Sequence, residues 1–496
     1  MNITHIIKQM PEYQRAKQRQ EQGSPAQEAE QDEPQTPDAS APAEGSTAYN
    51  DDRNATDFID RFHEEIRYCW SSDSWHQWSG IRWKPHPSKG VMHLARQFCR
   101  ELRQEAQTLP DKKARKDAVR RARDLGNKSR MVPMVDLATL DARVSVADAA
   151  LWDAHPMLLG LENGMVDLRT GQFLPPDRQW LMTKCCDVSH DAGAACPKWE
   201  SFVQRILPDP EVRRFMQISA GYWLSGDTSA QIFWFLYGAG ANGKSTFLEI
   251  ISRIGGDYAR RAGNSMLSVT TNNREASLEL STLPGVRLLV GSEMGDGMRL
   301  NTELLKDMTG EDTLTARAHY ESHFNFKPTC KLVMFGNHKP VITDTDGGIW
   351  RRPRLIPFTQ VIPEAERNLK LKDELWEERS GILNWCLEGL RLWRQEGLTA
   401  PASVISVTES FRESSDILGE FLREHTQAEP GGRLLLKDLY ARYTSWCNCT
   451  GHRGVLSDQK LRSRLEERGL DVALNKHGRV IMNMSLKPSD DPFDNL

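Results

Sequence analysis

The chain has 496 residues, enough for about three domains of ordinary size, with 39% hydrophobic residues, 27% charged residues and a formal net charge of −4. It holds no apolar run near the roughly 18 residues that a membrane helix needs, and its first residues lack a secretory signal, so we expect a cytoplasmic protein without membrane contact. The nine cysteines include no Cys-x-x-Cys pair, which favours reduced thiols over a disulfide framework.

The first half of the chain changes character near residue 50. Residues 21–50 hold seven acidic residues, four prolines and no Lys, Arg, Ile, Leu, Val or Phe, so we predict a disordered acidic tail over residues 1–50. Residues 51–225 are typical of a mostly helical domain with small β insertions. Within it we predict an amphipathic helix over 55–70, a hairpin at "WHQWSGIRW", a hairpin within 158–176 and helical structure from Pro197 to Ser225.

Residues 111–130 of this domain carry nine Lys or Arg residues against three Asp residues. Such a run is often only a solvated helix face. It also suits contact with a phosphate backbone, and the sequence leaves both interpretations open.

The remaining residues divide into two further domains. Over residues 226–400, the short apolar runs "IFWFLY", "VRLLVG" and "KLVMFGN" alternate with helical or loop segments, which predicts parallel strands of an α/β sheet closed by a helical stretch over 366–396. Residues 401–496 predict three helices followed by two strands, the order of a winged helix. Cys447, Cys449 and His452 cluster there, but their spacing matches no common zinc pattern.

The stretch "FWFLYGAGANGKSTFLEII" places a glycine-rich turn between a strand and a helix. It satisfies the G-x-x-x-x-G-K-[ST] spacing, in which backbone N–H groups and the helix N-terminus surround phosphate oxygens. Lys244 would reach the β- and γ-phosphates of ATP, and the Ser245 hydroxyl would ligate Mg²⁺. The predicted nucleotide-binding residues are Gly238, Ala239, Gly240, Ala241, Asn242, Gly243, Lys244, Ser245 and Thr246.

Two later strands supply further polar groups. "RLLVGSE" delivers Glu293 to a strand end, where its carboxylate could hold the metal or polarise the attacking water. Asp296 is a possible second carboxylate, although a solvated loop residue is the simpler interpretation. Asn337 ends "KLVMFGN", and its amide could contact both the γ-phosphate and the water.

Arginines and a hairpin complete the predicted site. Arg351 and Arg352, in "DGGIWRRPRLIPF", could neutralise transition-state charge from a neighbouring subunit, or could instead pair with a core carboxylate. Alternation around "YESH" predicts a hairpin whose Arg317, His319, His323 and Lys327 could grip a phosphate backbone.

In the C-terminal domain we predict that "SDQKLRSRLEERG" is a recognition helix capped by Ser457. It would present Lys460, Arg462 and Arg464 to DNA. The alternative is that this helix packs internally or against a partner protein.

These motifs, in this order, resemble the superfamily-three helicases, and closely the phage/plasmid primase family that includes satellite-phage and poxvirus primase-helicases. The resemblance covers about residues 55–400 and includes "NGMVDLRTG", "WHQWSGIRW" and "LLKDMTGED", whose Lys306 and Asp307 belong to an additional family motif. It implies an AAA-like P-loop ATPase core in a hexameric ring around single-stranded DNA, moving 3′ to 5′. ATP would lie between subunits, with Lys244, Ser245, Glu293 and Asn337 on one side and Arg351 or Arg352 on the other.

The chain departs from that family in two respects. Many relatives carry a primase domain upstream, and here only a tail and a helical module precede the motor, so we expect a separate primase as partner. One carboxylate stands at the acidic strand where some members have two.

We therefore predict an ATP-dependent replicative DNA helicase of a phage, prophage or plasmid-like element, acting on single-stranded and forked DNA. One alternative is an initiator or defence switch that assembles on DNA with ATP and never unwinds it. The other is a monomeric P-loop kinase, which the hairpin and paired arginines disfavour.

Overall fold

The computed structural model describes residues 50–86, 90–269, 273–291, 298–310, 312–317, 323–342, 347–450, 455–476 and 478–488. Residues 1–49 of the predicted acidic tail lie outside these ranges, and so do Glu293, Asp296, His319 and His452. Within them the chain is a mixed α/β protein with helices and several sheets.

Helices and short strands alternate through residues 50–225. The helices are α1 (Asp51–Phe62), α2 (Val91–Thr108), α3 (Lys112–Leu125), α4 (Lys128–Ala138), α5 (Pro197–Ile206) and α6 (Pro210–Leu224). The strands are β1 (Ile66–Cys69), β2 (Ser74–Trp78), β3 (Trp83–His86), β4 (Ser145–Val146), β5 (Leu158–Leu161), β6 (Gly164–Asp167) and β7 (Gln172–Leu174). They form two sheets, in the orders β3-β2-β1-β4 and β5-β6-β7.

The helix predicted over 55–70 is shorter than expected. It ends at Phe62, and the N–H of His63 donates to the carbonyl of Ile59 at 2.8 Å. The next residues, "IRYC", form β1, because β-branched and aromatic side chains suit a strand and β2 pairs with it. The predicted hairpin at "WHQWSGIRW" is confirmed by the antiparallel pairing of β2 with β3.

Two other predicted elements are more divided than the sequence suggested. The stretch from Pro197 to Ser225 forms the separate helices α5 and α6, because α5 ends before Pro208 and Pro210 occupies the first position of α6. The hairpin predicted within 158–176 gains a third strand, β7, which pairs with β6.

Residues 226–400 contain a five-stranded sheet in the order β14-β8-β13-β10-β9, and every neighbouring pair is parallel, as predicted. Its strands, together with the separate antiparallel hairpin β11–β12, are β8 (Phe233–Tyr237), β9 (Ala259–Ala262), β10 (Leu288–Gly291), β11 (Leu314–Arg317), β12 (His323–Phe326), β13 (Lys331–Gly336) and β14 (Pro353–Pro357). The helices are α7 (Lys244–Gly255), α8 (Asn264–Leu267), α9 (Asn273–Leu280), α10 (Thr302–Thr309), α11 (Gly347–Trp350), α12 (Leu371–Glu377) and α13 (Arg379–Glu396).

Both faces of this sheet are buried, as β8 illustrates. Trp234 packs in the cluster that contains Trp223 and Phe247, whereas its neighbour Phe235 packs in the cluster that contains Ile349 on the other face. Successive side chains of a strand point to opposite faces, so a fully apolar strand fits between two covering layers. Parallel pairing then brings the carboxyl ends of the strands to one edge.

Two buried cations lie at the opposite, amino edge of the sheet. Arg287, just before β10, donates from Nη1 to the carbonyl of Leu224 at 2.7 Å. Lys331, the first residue of β13, donates from Nζ to the carbonyl of Ser225 and to that of Thr329 at 3.1 Å. Both side chains thereby join the end of α6 to the sheet.

The C-terminal residues contain α14 (Ala402–Ser415), α15 (Ile417–His425), β15 (Thr426–Leu435), α16 (Leu436–Thr450), α17 (Asp458–Glu467), β16 (Val472–Asn475) and β17 (Gly478–Leu486). Strand β15 was not predicted from the sequence, and it pairs with β17 in the order β15-β17-β16. Its "PGG" segment reads as a turn, and the structure accommodates it as an irregularity between Ala428 and Arg433.

Candidate active site

The loop between β8 and α7 depends on its glycines. Gly240 and Gly243 have φ angles of +100° and +82°, a region that side chains rarely adopt. A Cβ atom at Gly243 would also lie 2.5 Å from Cγ2 of Ile206 on α5, and one at Gly238 would lie 2.3 Å from the carbonyl oxygen of Phe358. The glycines therefore allow both the turn and its close packing.

Lys244 begins α7 with its ammonium group turned back over this loop. Its Nζ atom donates to the carbonyl of Gly238 at 2.7 Å, to Oδ1 of Asn242 at 3.0 Å and to Oδ1 of Asn337 at 3.4 Å. The last contact follows from the sheet, because Gly336 of β13 is in register with Tyr237 of β8. The structure thus brings together Lys244 and Asn337, two residues 93 positions apart.

Asn242 has a second role that the sequence did not indicate. It is only 3% exposed, and its Nδ2 atom donates to the carbonyl of Phe358 at 3.2 Å. The N–H of Ile362 donates to the carbonyl of Ala241 at 2.8 Å. The loop is therefore fixed to the segment that follows β14. No spacing pattern in the sequence links residues so far apart.

A cavity of about 840 Å³ opens beside the loop. One wall comes from α5, another from the loop and the start of α7, and the third from the segment before α12. Its lining includes Phe202, Arg205, Gly243, Thr246, Ile362, Arg367 and Leu371. Arg205 forms an ion pair with Glu366 across it. Its volume lies within the range of small-molecule sites.

Ser245 lies exposed in the first turn of α7, next to Lys244. It also lines a smaller cavity of about 300 Å³ with Glu249, Arg261 and Val290. β10 ends at Gly291, at the same edge of the sheet, but the predicted Glu293 lies outside the described residues. Over the described ranges, no group of three or more His, Cys, Asp or Glu residues could hold a metal ion.

The two neighbouring arginines differ in environment. Arg352 is 7% exposed and donates from Nε to Oγ1 of Thr309 at 2.9 Å and from Nη1 to the carbonyl of Gly348. Arg351 is exposed and donates from Nη2 to Oε1 of Gln231 at 2.9 Å. Burial therefore gives Arg352 a structural environment within its own chain, whereas the side chain of Arg351 is exposed.

Arg351 and Lys244 also lie at opposite edges of the sheet. Pro353 of β14 is in register with Phe233, the first residue of β8, so Arg351 lies near the amino edge. Lys244 follows the carboxyl end of β8. A five-residue strand separates the two edges by about 17 Å, so Arg351 cannot reach the loop of its own subunit.

The hairpin β11–β12 pairs Arg317 with His323, next to its tip, and Arg317 is exposed. Lys327 follows β12 and is also exposed, whereas His319 lies outside the described residues. Lys306 and Asp307 lie on α10, where burial, with Glu303 and Asp312 nearby, raises the pKa of Asp307.

The predicted recognition helix is α17. Ser457 caps it, since its Oγ atom accepts from the N–H of Lys460 at 3.4 Å. Arg462 pairs with Glu466 at 2.7 Å and Arg464 with Glu467 at 3.0 Å. Much of the positive charge on this helix is therefore balanced by its own acidic residues.

Two family models match separate parts of the chain. A family described as "D5 N terminal like" matches residues 55–208, and one described as a family of unknown function (DUF5906) matches residues 236–352. No helix among the described residues has the length and apolar character required to cross a membrane.

Several viral proteins are similar in sequence. A protein named as a helicase in Acanthamoeba polyphaga mimivirus is 30% identical over 60% of this chain and 34% of its own length. One named as a helicase in Frog virus 3 is 26% identical over 55% and 30%, and one named as a primase in African swine fever virus is 22% identical over 65% and 37%. The chain spans about a third of the length of these curated relatives.

A similar solved structure is the apo C-terminal region of NrS-1. It is 11% identical, covers 85% of this chain and 96% of the solved chain, and has a TM-score of 0.48.

Proposed function

We propose that this chain is a D5-like primase–helicase that acts as an ATP-dependent replicative DNA helicase of a phage, prophage or plasmid-like element. The observation that carries the proposal is the position of Lys244, whose Nζ atom lies between the loop at Gly238 and Asn337 at the carboxyl edge of the sheet. A phosphate chain placed there would meet a cation, loop N–H groups and a helix N-terminus together.

In this proposal the loop is a P-loop in an AAA-like core. Lys244 binds the β- and γ-phosphates of ATP, and the cavity of about 840 Å³ accepts the base and sugar. Ser245, exposed in the first turn of α7, and Glu293 would hold Mg²⁺, which neutralises phosphate charge when bound. Water attacks the γ-phosphorus as the bond to the bridging oxygen breaks. Glu293 accepts the proton of that water, and Asn337 orients it.

Arg351 completes the site from a neighbouring subunit. Its exposure and its place at the amino edge support a contribution in trans, while the bonded Arg352 supports the local structure. ATP would then lie between subunits of a hexameric ring. Hydrolysis in one subunit would move the hairpin, with Arg317, His319 and Lys327, along single-stranded DNA.

The other parts of the chain serve this motor in the proposal. Residues 51–225 form the primase-helicase type of N-terminal domain, residues 226–400 the motor and residues 401–496 a winged helix that contacts forked DNA. A separate primase supplies primers, and the protein acts in the cytoplasm of a bacterial cell or an infected host.

The test is ATP hydrolysis with and without single-stranded DNA, together with unwinding of a forked duplex. We expect DNA to stimulate hydrolysis in the parent, and Lys244→Ala to abolish hydrolysis and unwinding. Hydrolysis without strand displacement would favour the alternative, an initiator or defence switch that assembles on DNA without unwinding it.

A further inference from the structure

A second cavity, of about 770 Å³, lies between the N-terminal elements and the amino edge of the central sheet. We call it the junction cleft. Its walls come from β2, from the residues before β5, from the turns that precede β8, β10 and β13, and from the end of β12. Lys244 follows the carboxyl end of β8, whereas the cleft lies at its amino end. About the length of this strand therefore separates the cleft from the loop site.

Lys184 supplies unpaired positive charge to this cleft. It is half-buried, and its Nζ atom makes no hydrogen bond or ion pair with any residue that the structure describes. Burial lowers the pKa of Lys184, and Arg260, Arg82 and Arg287 lower it further against the opposing charge of Asp153. Burial and these arginines disfavour the charged form of Lys184, so an anion bound beside it would stabilise that form.

The two acids of the cleft are already engaged. Asp153 accepts from the N–H groups of Thr183 at 2.8 Å and Lys184 at 3.1 Å. Asp227 accepts from Ser229 through both its N–H and its hydroxyl, at 2.9 Å and 2.6 Å. Both carboxylates thus bind neighbouring backbone or hydroxyl groups, and Asp153 acts on Lys184 through its charge without forming an ion pair with it.

The rest of the cleft offers flat apolar surface. The rings of His76 and Trp152 stack at 4.2 Å, and both line the cleft with Phe326. His76 is 6% exposed, and its Nδ1 atom has no hydrogen-bond partner within the described ranges, which is costly for a buried polar atom. A wall of rings beside a cation suits a planar base carried on a phosphate.

We propose that the junction cleft binds one nucleotide unit, with its phosphate at Lys184 and its base against the wall of Trp152 and Phe326. The unit belongs either to a DNA strand that leaves the hairpin or to a free nucleotide. Asn325, Phe326 and Lys327, at the end of β12, join the cleft directly to the hairpin. Only the assignment to DNA rests on the proposed function.

Two binding measurements on the full chain distinguish these sources. Fluorescence anisotropy follows a labelled oligodeoxythymidine of about 15 nucleotides, and a second titration follows labelled deoxyadenosine monophosphate in a Lys244→Ala background. Lys184→Gln removes the cation, and Thr228→Glu places a negative charge on another wall. Lys84→Gln is the matched control, since Lys84 is an exposed lysine of β3 outside the cleft lining.

For a DNA unit we expect Lys184→Gln to weaken oligonucleotide binding about fivefold and to reduce the salt slope by about 0.7, as loss of one phosphate contact requires. If the cleft binds a free nucleotide, we expect Lys184→Gln to weaken binding of deoxyadenosine monophosphate instead. Thr228→Glu should act in the same direction, and Lys84→Gln should stay within about twofold of the parent.

The proposal is overturned if Lys184→Gln and Thr228→Glu, both folded by thermal melting, bind both probes as the Lys84→Gln control does. If Lys184→Gln does not fold, Thr228→Glu decides. Hydrolysis of ATP without DNA reports separately on Lys244. Absence of hydrolysis in the parent both with and without DNA would remove the proposed motor function but would leave binding at the cleft measurable.

Discussion

The Nζ atom of Lys244 lies 3.4 Å from the Oδ1 atom of Asn337, across two neighbouring parallel strands. The amide oxygen faces the cation that we assign to the phosphates, so the amide is placed to detect the γ-phosphate. Replacement by a carboxylate keeps the size of the side chain but adds negative charge beside bound phosphate.

We therefore expect Asn337→Asp to reduce ATP hydrolysis about 100-fold, with a smaller loss in ADP binding because ADP lacks the γ-phosphate. Steady-state hydrolysis and calorimetric ADP titration measure the two effects. Gln172→Glu, on the exposed strand β7, is the control for an added charge. Equal loss of hydrolysis in both variants would contradict the assignment.

Substitutions of the two adjacent arginines should affect different properties: hydrolysis for Arg351 and stability for Arg352. Arg351→Ala removes an exposed side chain, so we expect an unchanged melting temperature and a loss of hydrolysis of about 10³-fold. Arg352→Ala leaves Thr309 and Gly348 without their buried donor, so we expect a loss of about 2 to 3 kcal/mol in the free energy of unfolding.

Mixing two variants tests directly whether Arg351 and Lys244 of neighbouring subunits form one site. Arg351→Ala and Lys244→Ala subunits each lack one half of the shared site, and mixed rings should regain part of the hydrolysis rate because some interfaces have both halves intact. Full hydrolysis by Arg351→Ala alone would exclude it as the trans-acting group.

The glycines of the loop differ in what surrounds them. Gly240→Ala incurs the backbone strain of a positive φ, about 1 to 2 kcal/mol, in open space. Gly243→Ala adds contact with Ile206, so we expect a loss of about 2 to 4 kcal/mol. Urea unfolding measures both, and in a double-mutant cycle Gly243→Ala should cost less in an Ile206→Ala background than in the parent. Equal losses for the two glycine variants would contradict the role of α5 in shaping the loop.

Lys331 gives a prediction with a pH dependence. Burial lowers its pKa well below the usual value, and the nearby charge of Arg287 adds to this. Between that lowered pKa and 10.5, the unfolded chain binds more protons at this residue than the folded chain, so its contribution to stability rises with pH.

Lys331→Met removes the donor to the carbonyls of Ser225 and Thr329, and we expect a loss of about 2 to 4 kcal/mol at pH 7. The deficit relative to the parent should grow at pH 9, as measured by urea unfolding. Lys198→Met, at an exposed lysine 4.0 Å from Glu377, serves as the control and should show neither effect. A deficit that shrinks with rising pH would contradict the lowered pKa.

The sequence by itself determined the local structure and part of the site. The glycine spacing around Lys244, the apolar runs of β8, β10 and β13 and the hairpin β11–β12 follow from patterns of a few residues, because φ preferences and strand periodicity act locally. The resemblance to primase-helicases rested on the same short motifs.

Tertiary structure alone decided which distant groups meet. Three contacts join residues with no common spacing: the Lys244 loop with Phe358, Arg352 with Thr309, and Lys184 with the other walls of the junction cleft. Strand β15 was missed for the same reason, since β17 pairs with the residues on both sides of its turn-like "PGG" segment. Such contacts depend on how whole elements pack, and burial then determines whether a charged group is structural or available to a ligand.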